Sequence, residues 1–207
     1  MVRNISRKTL VLYLLFITIC LGACGGLTQS EKPAVTSWWL EPLTGEAQTE
    51  NRQLVASISV SVAVVPGLDT DQILTLSDDS ELKPYAGARW VDNLPELTTS
   101  LVSRTLEASG SFEVVAERAR AEHKRCDLRL ELREFFASLD TTGQTRSVQI
   151  AIHGSYQCVS ETLIPVQINA SVPVRDNRMR TIVAAFQQAM NNTMRDLLKV
   201  LHSGKES

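Results

Sequence analysis

Four long segments of the chain alternate apolar and polar residues with a period of two, the spacing of a β-strand that buries one face. In the first of them, isoleucine and valine alternate with small polar residues until Pro66-Gly67 ends the pattern. The alternation predicts long strands over residues 56–64, 126–133, 148–152 and 164–172. Shorter apolar runs predict strands near 37–40 and 112–115 and a small hairpin over 73–85.

Two further segments carry apolar residues at helical spacing. The first follows Asp92 or Asn93, either of which can cap a helix, has Pro95 in its first turn and ends at Gly110. The second covers residues 176–202 and has a wide apolar stripe. Together the elements predict an α+β fold: a mainly antiparallel sheet with two principal helices packed on one face, in a single domain.

Two of the long strands are expected to form a hairpin with a three-residue loop that ends in Gly143. Pairing Asp140 with Gln144 fixes the register, and this register places Cys126 directly opposite Cys158. Opposed residues in an antiparallel pair lie about 4.5–5.5 Å apart, within reach of a disulfide. The register therefore predicts a disulfide between the two cysteines; the alternative is a pair of buried free thiols.

The N-terminus has the three parts of a secretory signal: a basic head, an apolar run over residues 10–21 and small residues before Cys24. The run is shorter than the roughly 20 residues that span a bilayer. Its end, Leu21-Gly22-Ala23-Cys24, resembles the bacterial lipobox, in which the cysteine becomes the N-terminus and carries acyl chains such as palmitate. The alternative is an ordinary secretory signal in which Cys24 has no role.

The domain organisation follows from this N-terminus. We expect a lipoprotein signal peptide over residues 1–23, a lipidated N-terminus and tether over 24–36, and a periplasmic domain over 37–207. Gly25 and Gly26 follow the cysteine where an aspartate would retain a lipoprotein in the inner membrane. By resemblance to lipoprotein sorting in Gram-negative bacteria, this favours an outer-membrane anchor that faces the periplasm.

The net charge of the chain and its sequence motifs argue against several classes of function. After signal removal, 18 basic residues stand against 23 acidic ones, which argues against nucleic acid as a partner. No P-loop or hydrolase motif is present, and His123, His153 and His202 lack metal-ligand spacing. Asp78 and Asp79 are expected at a solvated hairpin tip rather than as a catalytic pair. The sequence thus predicts a protein that is not an enzyme and holds no cofactor or metal.

Several short motifs occur in a characteristic order: Val64-Val65-Pro66, Leu68-Asp69, Arg89-Trp90 before a helix, Phe112 after it, and later Phe135-Phe136. This order resembles the auxiliary lipoproteins of ABC-type transport systems, the PqiC-like family, over most of the chain after the signal. The chain departs from the family pattern after the Arg-Trp pair and in having the Cys126/Cys158 pair.

The resemblance implies a non-enzymatic component of a lipid transport system that links the inner and outer membranes. Its expected partners are the MCE-domain protein of an ABC transporter and, through the lipid anchor, the outer membrane. The sequence leaves open whether the chain also forms a homo-oligomer. Arg89 and Trp90 are candidate partner-binding residues, because both residue types are common in interface hot spots. The alternative is that Trp90 caps the core beside a salt-bridged Arg89. A second functional hypothesis is a lipoprotein that assembles or plugs an outer-membrane β-barrel.

Overall fold

A computed structural model describes residues 34–44, 56–116 and 124–203 of the chain. The described residues from Val35 onward form one compact unit, as expected of a single domain. Its elements in chain order are β1 (Thr36–Trp38), β2 (Ala56–Val64), β3 (Gln72–Leu76), β4 (Leu82–Trp90), α1 (Leu94–Ser109), β5 (Phe112–Val114), β6 (Arg125–Leu139), β7 (Thr145–Cys158), β8 (Ile164–Pro173) and α2 (Met179–Ser203). The strands predicted from alternation and both helices are confirmed. The predicted tether and signal lie almost entirely outside the described residues.

Strand β6 organises the sheet because it has three neighbours. One of its edges pairs with β7 along nearly its whole length. The other edge pairs first with β2, up to Leu132, and then with β3, at Ala137 and Ser138. Strand β5 extends the β2 side, β4 and β1 extend the β3 side, and β8 lies beyond β7. The region around Arg89 and Trp90 therefore belongs to the branch of the sheet formed by β3, β4 and β1.

The expectation of a mainly antiparallel sheet is wrong, because the sheet is mixed. Among the described strands, four pairings are parallel (β1/β4, β2/β5, β2/β6 and β3/β6) and three are antiparallel (β3/β4, β6/β7 and β7/β8). The antiparallel pairs join strands that follow one another in the chain and are connected by short turns. Parallel partners need long connections and so leave no turn signal between them.

The β6/β7 hairpin has the predicted register at both ends. Cys126 pairs with Cys158, and the N–H of Asp140 donates to the carbonyl of Gln144. Between these ends the register shifts by one residue at Arg133 and shifts back near the turn. In the turn, the Asp140 carboxylate accepts hydrogen bonds from Thr142 and from the Gln144 N–H, and these bonds hold the pKa of Asp140 below its usual value. The bulge at Arg133 falls where β6 changes its neighbour from β2 to β3.

Both helices pack on the sheet and contact each other. Helix α1 lies over β2 and β5, and α2 lies over β7 and β8. As predicted, α1 begins after Asn93, has proline in its first turn and ends at Gly110, which adopts a left-handed φ of 70°. In the core, an aromatic cluster joins three elements: Trp90 of β4, Phe135 of β6 and Phe186 of α2.

Gly154 of β7 offers a direct test of how closely β6 and β7 approach. A Cβ atom at this position would lie 2.0 Å from the carbonyl oxygen of Arg129, which is main chain and cannot swing aside. We expect Gly154→Ala to lower the free energy of unfolding by about 1–3 kcal/mol, the typical cost of overpacking. Urea unfolding measures the effect, with Ser155→Ala on the adjacent residue as the control. An unchanged midpoint for Gly154→Ala would contradict this strand packing.

Candidate functional site

The two residues of the Arg89-Trp90 pair have opposite environments at the end of β4. Trp90 is 1% exposed, and its ring meets Phe135 at 5.7 Å and Phe186 at 5.1 Å between centroids, edge to face in both cases. A side chain buried in this way cannot contact a partner on the surface. The structure therefore contradicts a partner-binding role for Trp90 and agrees with the alternative, in which Trp90 is a core residue.

Arg89 is exposed on the other side of β4. Its Nη1 lies 3.6 Å from Oδ2 of Asp71, and its Nε donates to Oγ of Ser37 at 3.4 Å. Both charged side chains of the ion pair are more than one-third exposed, so the pair contributes little to stability. The guanidinium is held in place but stays accessible, which leaves Arg89 as a candidate for binding.

A cavity of about 310 Å³ opens beside Arg89. It lies where β4 bulges between two points of its pairing with β3, and Gly87 at the bulge has a φ of 72° that favours glycine. Apart from the Arg89/Asp71 pair, the lining is an amide and mostly small or apolar side chains: Val35, Gln72, Pro84, Tyr85, Ala86, Gly87 and Ala88. This lining can bind a small group, but it holds no nucleophile next to a general base.

Tyr85 connects this region to the rest of the fold. Its hydroxyl is hydrogen-bonded to the hydroxyl of Thr145, which in turn donates to Oδ1 of Asn177 at 2.6 Å. Burial raises the pKa of Tyr85 above its ordinary value. The chain of hydrogen bonds ties β4 to β7 and to the segment before α2, so it has a structural role.

Trp39 is a surface residue that the sequence interpretation did not single out. Its side chain is 54% exposed, and the guanidinium carbon of Arg104 on α1 lies 5.9 Å from its ring centre. Val35 and Val91 are also exposed, and the N–H of Val91 donates to the carbonyl of Trp38. We call Val35, Trp39, Val91 and Arg104 the β1 surface.

A sequence signal for the β1 surface did exist. Adjacent residues of a strand point to opposite faces, so Trp38 and Trp39 could not both face the core. In the structure, Trp38 is partly buried beside Trp90, and Leu40 is fully buried. The chain after β1 then crosses to the helices, where Gln187 of α2 makes two hydrogen bonds to the backbone of Glu41.

The other predicted site residues are the three cysteines. Cys126 and Cys158 are bonded through their sulfur atoms in the structure, are buried, and lie next to the Tyr156 hydroxyl. Cys24, the predicted lipidation site, lies outside the described residues. In the described ranges, no three His, Cys, Asp or Glu side chains form a group that could hold a metal ion. Neither helix of this part of the chain has the length and apolar character of a membrane span.

Comparison with known proteins gives a family and a fold. Residues 39–197 match the family model described as ABC-type transport auxiliary lipoprotein component. The chain is similar in structure to a protein from Xanthomonas campestris described with the family DUF330, with a TM-score of 0.65, 17% identity, and coverage of 84% of this chain and 100% of that one. A second solved structure, of an uncharacterized protein, has a TM-score of 0.61 and 12% identity over 81% of this chain and 99% of its own. No curated protein matches the chain significantly.

Proposed function

Because this chain belongs to the family of ABC-type transport auxiliary lipoprotein components, we propose that it is the outer-membrane-anchored periplasmic lipoprotein of an MCE-type lipid transport system. In this function the domain binds the periplasmic end of the MCE-domain protein and links it to the outer membrane. The observation that carries the proposal is the family match over residues 39–197, which covers almost the whole described fold.

The N-terminal sequence supports the anchoring part of the proposal. A lipobox-like ending precedes Cys24, and two glycines follow it in place of an inner-membrane retention signal. One acyl chain gives only marginal membrane binding, whereas the several chains of a bacterial lipoprotein give lasting attachment. The fold starts at Thr36, so only a short tether separates Cys24 from the first strand.

A binding role rather than an enzymatic one agrees with the chemistry of the surface. The cavity beside Arg89 presents one cation, one carboxylate and an amide against small or apolar walls. An accessible guanidinium held by a neighbouring carboxylate is suited to a charged contact with a partner protein. Lipid transport would then be carried out by the transporter subunits, and this chain would supply attachment and docking.

The test of this function is a crosslinked pull-down of the full lipoprotein from its native envelope, with partners identified by mass spectrometry. We expect an MCE-domain protein and the ATPase of the same transporter among the strongest hits. Recovery of an outer-membrane β-barrel without transporter subunits would overturn the proposal in favour of the assembly or plug hypothesis. A Cys24→Ala variant cannot carry the lipid but keeps the same domain, so it is the control for capture that depends on the lipid anchor rather than on the domain.

Arg89→Glu tests the proposed contact at single-residue level. We expect loss of crosslinking to the MCE-domain protein, because the variant places a negative charge where the partner meets a guanidinium. The free energy of unfolding should change by no more than about 1 kcal/mol, since exposed ion pairs contribute little. Urea unfolding and the pull-down measure the two quantities separately.

The ion pair with Asp71 provides a matched control for this variant. Exchanging the two charges, as Arg89→Asp with Asp71→Arg, keeps an ion pair between the same positions but moves the cation to the loop before β3. We expect the exchanged protein to fold and still to bind the partner weakly. Full crosslinking in the exchanged protein or in Arg89→Glu would remove Arg89 from the partner contact.

A further inference from the structure

Exposed apolar side chains are concentrated at the β1 surface. Six large apolar residues in the described part of the chain are strongly exposed, and three of them, Val35, Trp39 and Val91, belong to this surface. Trp39 is the largest, and the guanidinium of Arg104 lies over its ring. The tryptophan ring can contact an apolar environment, while its N–H and the neighbouring guanidinium can stay in a polar one.

The β1 surface begins a short distance along the chain after Cys24, and this short distance indicates that its partner is the membrane. Val35 is the eleventh residue after Cys24. An extended chain spans at most about 3.6 Å per residue, so Val35 can be no farther than about 40 Å from an anchored cysteine and Trp39, four residues on, no farther than about 54 Å. A surface tethered this closely to a bilayer meets the lipid headgroups at a high effective concentration, even when its own affinity is weak.

The chemistry of the β1 surface fits the headgroup layer. Tryptophan is enriched at membrane–water interfaces, where its ring lies at headgroup level and its N–H reaches water. An arginine next to it can keep its charge among the phosphates while its stem covers apolar surface. Val35 and Val91 add apolar contact area at the two ends of the short strand ladder between β1 and β4.

We propose that the β1 surface contacts the phospholipid headgroups of the membrane that holds Cys24, with Trp39 inserted at the interface and Arg104 on the lipid phosphates. The inference rests on the lipid anchor of the proposed function. It adds a second, weaker contact that holds the domain against the membrane in one orientation.

The experiment uses the full lipidated chain in vesicles of phosphatidylethanolamine and phosphatidylglycerol. Some of the lipids carry bromine, which quenches tryptophan, either close to the headgroup or near the end of the acyl chain. Emission from Trp39 is the difference between the unmodified protein and Trp39→Phe. We expect loss of most of this emission with bromine close to the headgroup and a smaller loss with deep bromine.

Two variants separate the surface contact from general effects. Leu163→Ser removes an equally exposed apolar residue in the turn between β7 and β8 and should leave the quenching unchanged. Arg104→Glu should reduce it, because a carboxylate is repelled by anionic lipid. Unquenched Trp39 in protein that floats with the vesicles would overturn the inference.

The outcomes distinguish this inference from the proposed function. Flotation and the mass of the N-terminal peptide report the anchor, and the pull-down reports the MCE-domain partner, independently of Trp39. Protein that does not float with the vesicles lacks the lipid anchor, and this result would contradict both the proposed anchoring and this inference. A photo-crosslinker at position 39 that captures a transporter subunit instead of lipid would reassign the β1 surface to a protein interface.

Discussion

Replacing Trp90 with alanine is expected to lower the free energy of unfolding by about 3–5 kcal/mol, the range for deleting a large buried aromatic side chain. The ring is 1% exposed and contacts Phe135 and Phe186, so its loss leaves a cavity where β4, β6 and α2 meet. Typical domains are stable by only about 5–15 kcal/mol, so the variant would lose a large share of its stability. Urea unfolding followed by circular dichroism measures the loss without relying on tryptophan emission.

Trp39→Ala is the matched control, because it removes the same side chain from the surface. We expect it to change the free energy of unfolding by no more than about 0.5 kcal/mol, as is usual for surface substitutions. Trp90→Phe should fall between the two, since it keeps a ring in the cluster. Equal costs for Trp39→Ala and Trp90→Ala would contradict the assignment of Trp90 to the core and of Trp39 to the surface.

Removing the disulfide by Cys126→Ala with Cys158→Ala is expected to cost about 3–4 kcal/mol. The bond closes a loop with a sequence separation of 32 residues, and the chain-entropy relation gives about 3.7 kcal/mol for a loop of that size. Because both cysteines are buried at the open end of the β6/β7 hairpin, the loss should also favour fraying there. Unfolding midpoints of the two proteins give the difference.

A reductant provides the internal control for this prediction. It should lower the midpoint of the unmodified protein and leave that of the double variant unchanged. Peptide mapping under non-reducing conditions should recover the two cysteines in one crosslinked peptide. Free thiols in the folded, oxidised protein would instead support the alternative of two unpaired cysteines.

The β6/β7 hairpin shows how far local pattern can predict structure. The turn residues, the apolar alternation and the cysteine spacing agreed on one register, and the structure has that register at both ends. The pattern did not predict the one-residue shift at Arg133. That shift accompanies the change of neighbour on the opposite edge of β6, which involves strands distant in sequence.

The same reason explains the wrong expectation of a mainly antiparallel sheet. Alternation over residues 56–64 predicts that β2 is a strand and which residues it buries, but not its neighbours. Its partners are β5 and β6, and both pairings are parallel and non-local. The family resemblance, carried by short motifs in a fixed order, was confirmed by the match over residues 39–197.

For the candidate site, the sequence analysis treated Arg89 and Trp90 as one pair, but the structure places the two side chains in opposite environments. Arg89 is exposed and Trp90 is buried because successive residues of β4 point to opposite faces. Treating the pair as one hot spot ignored that alternation. The same rule applied to Trp38 and Trp39 would have identified one exposed tryptophan. The rule could not say which one, because that depends on the parallel pairing of β1 with β4.

In the proposed function the domain is held by its N-terminus, and the attachment of β1 then has a mechanical consequence. Any pulling force transmitted through the tether enters the fold at β1, which has three residue pairs with β4. Behind it, buried Leu40 and the two hydrogen bonds between Glu41 and Gln187 pass the load to α2. Strand β1 can therefore yield first under tension, while the long β6/β7 and β7/β8 ladders, whose strand pairings do not involve β1, stay intact.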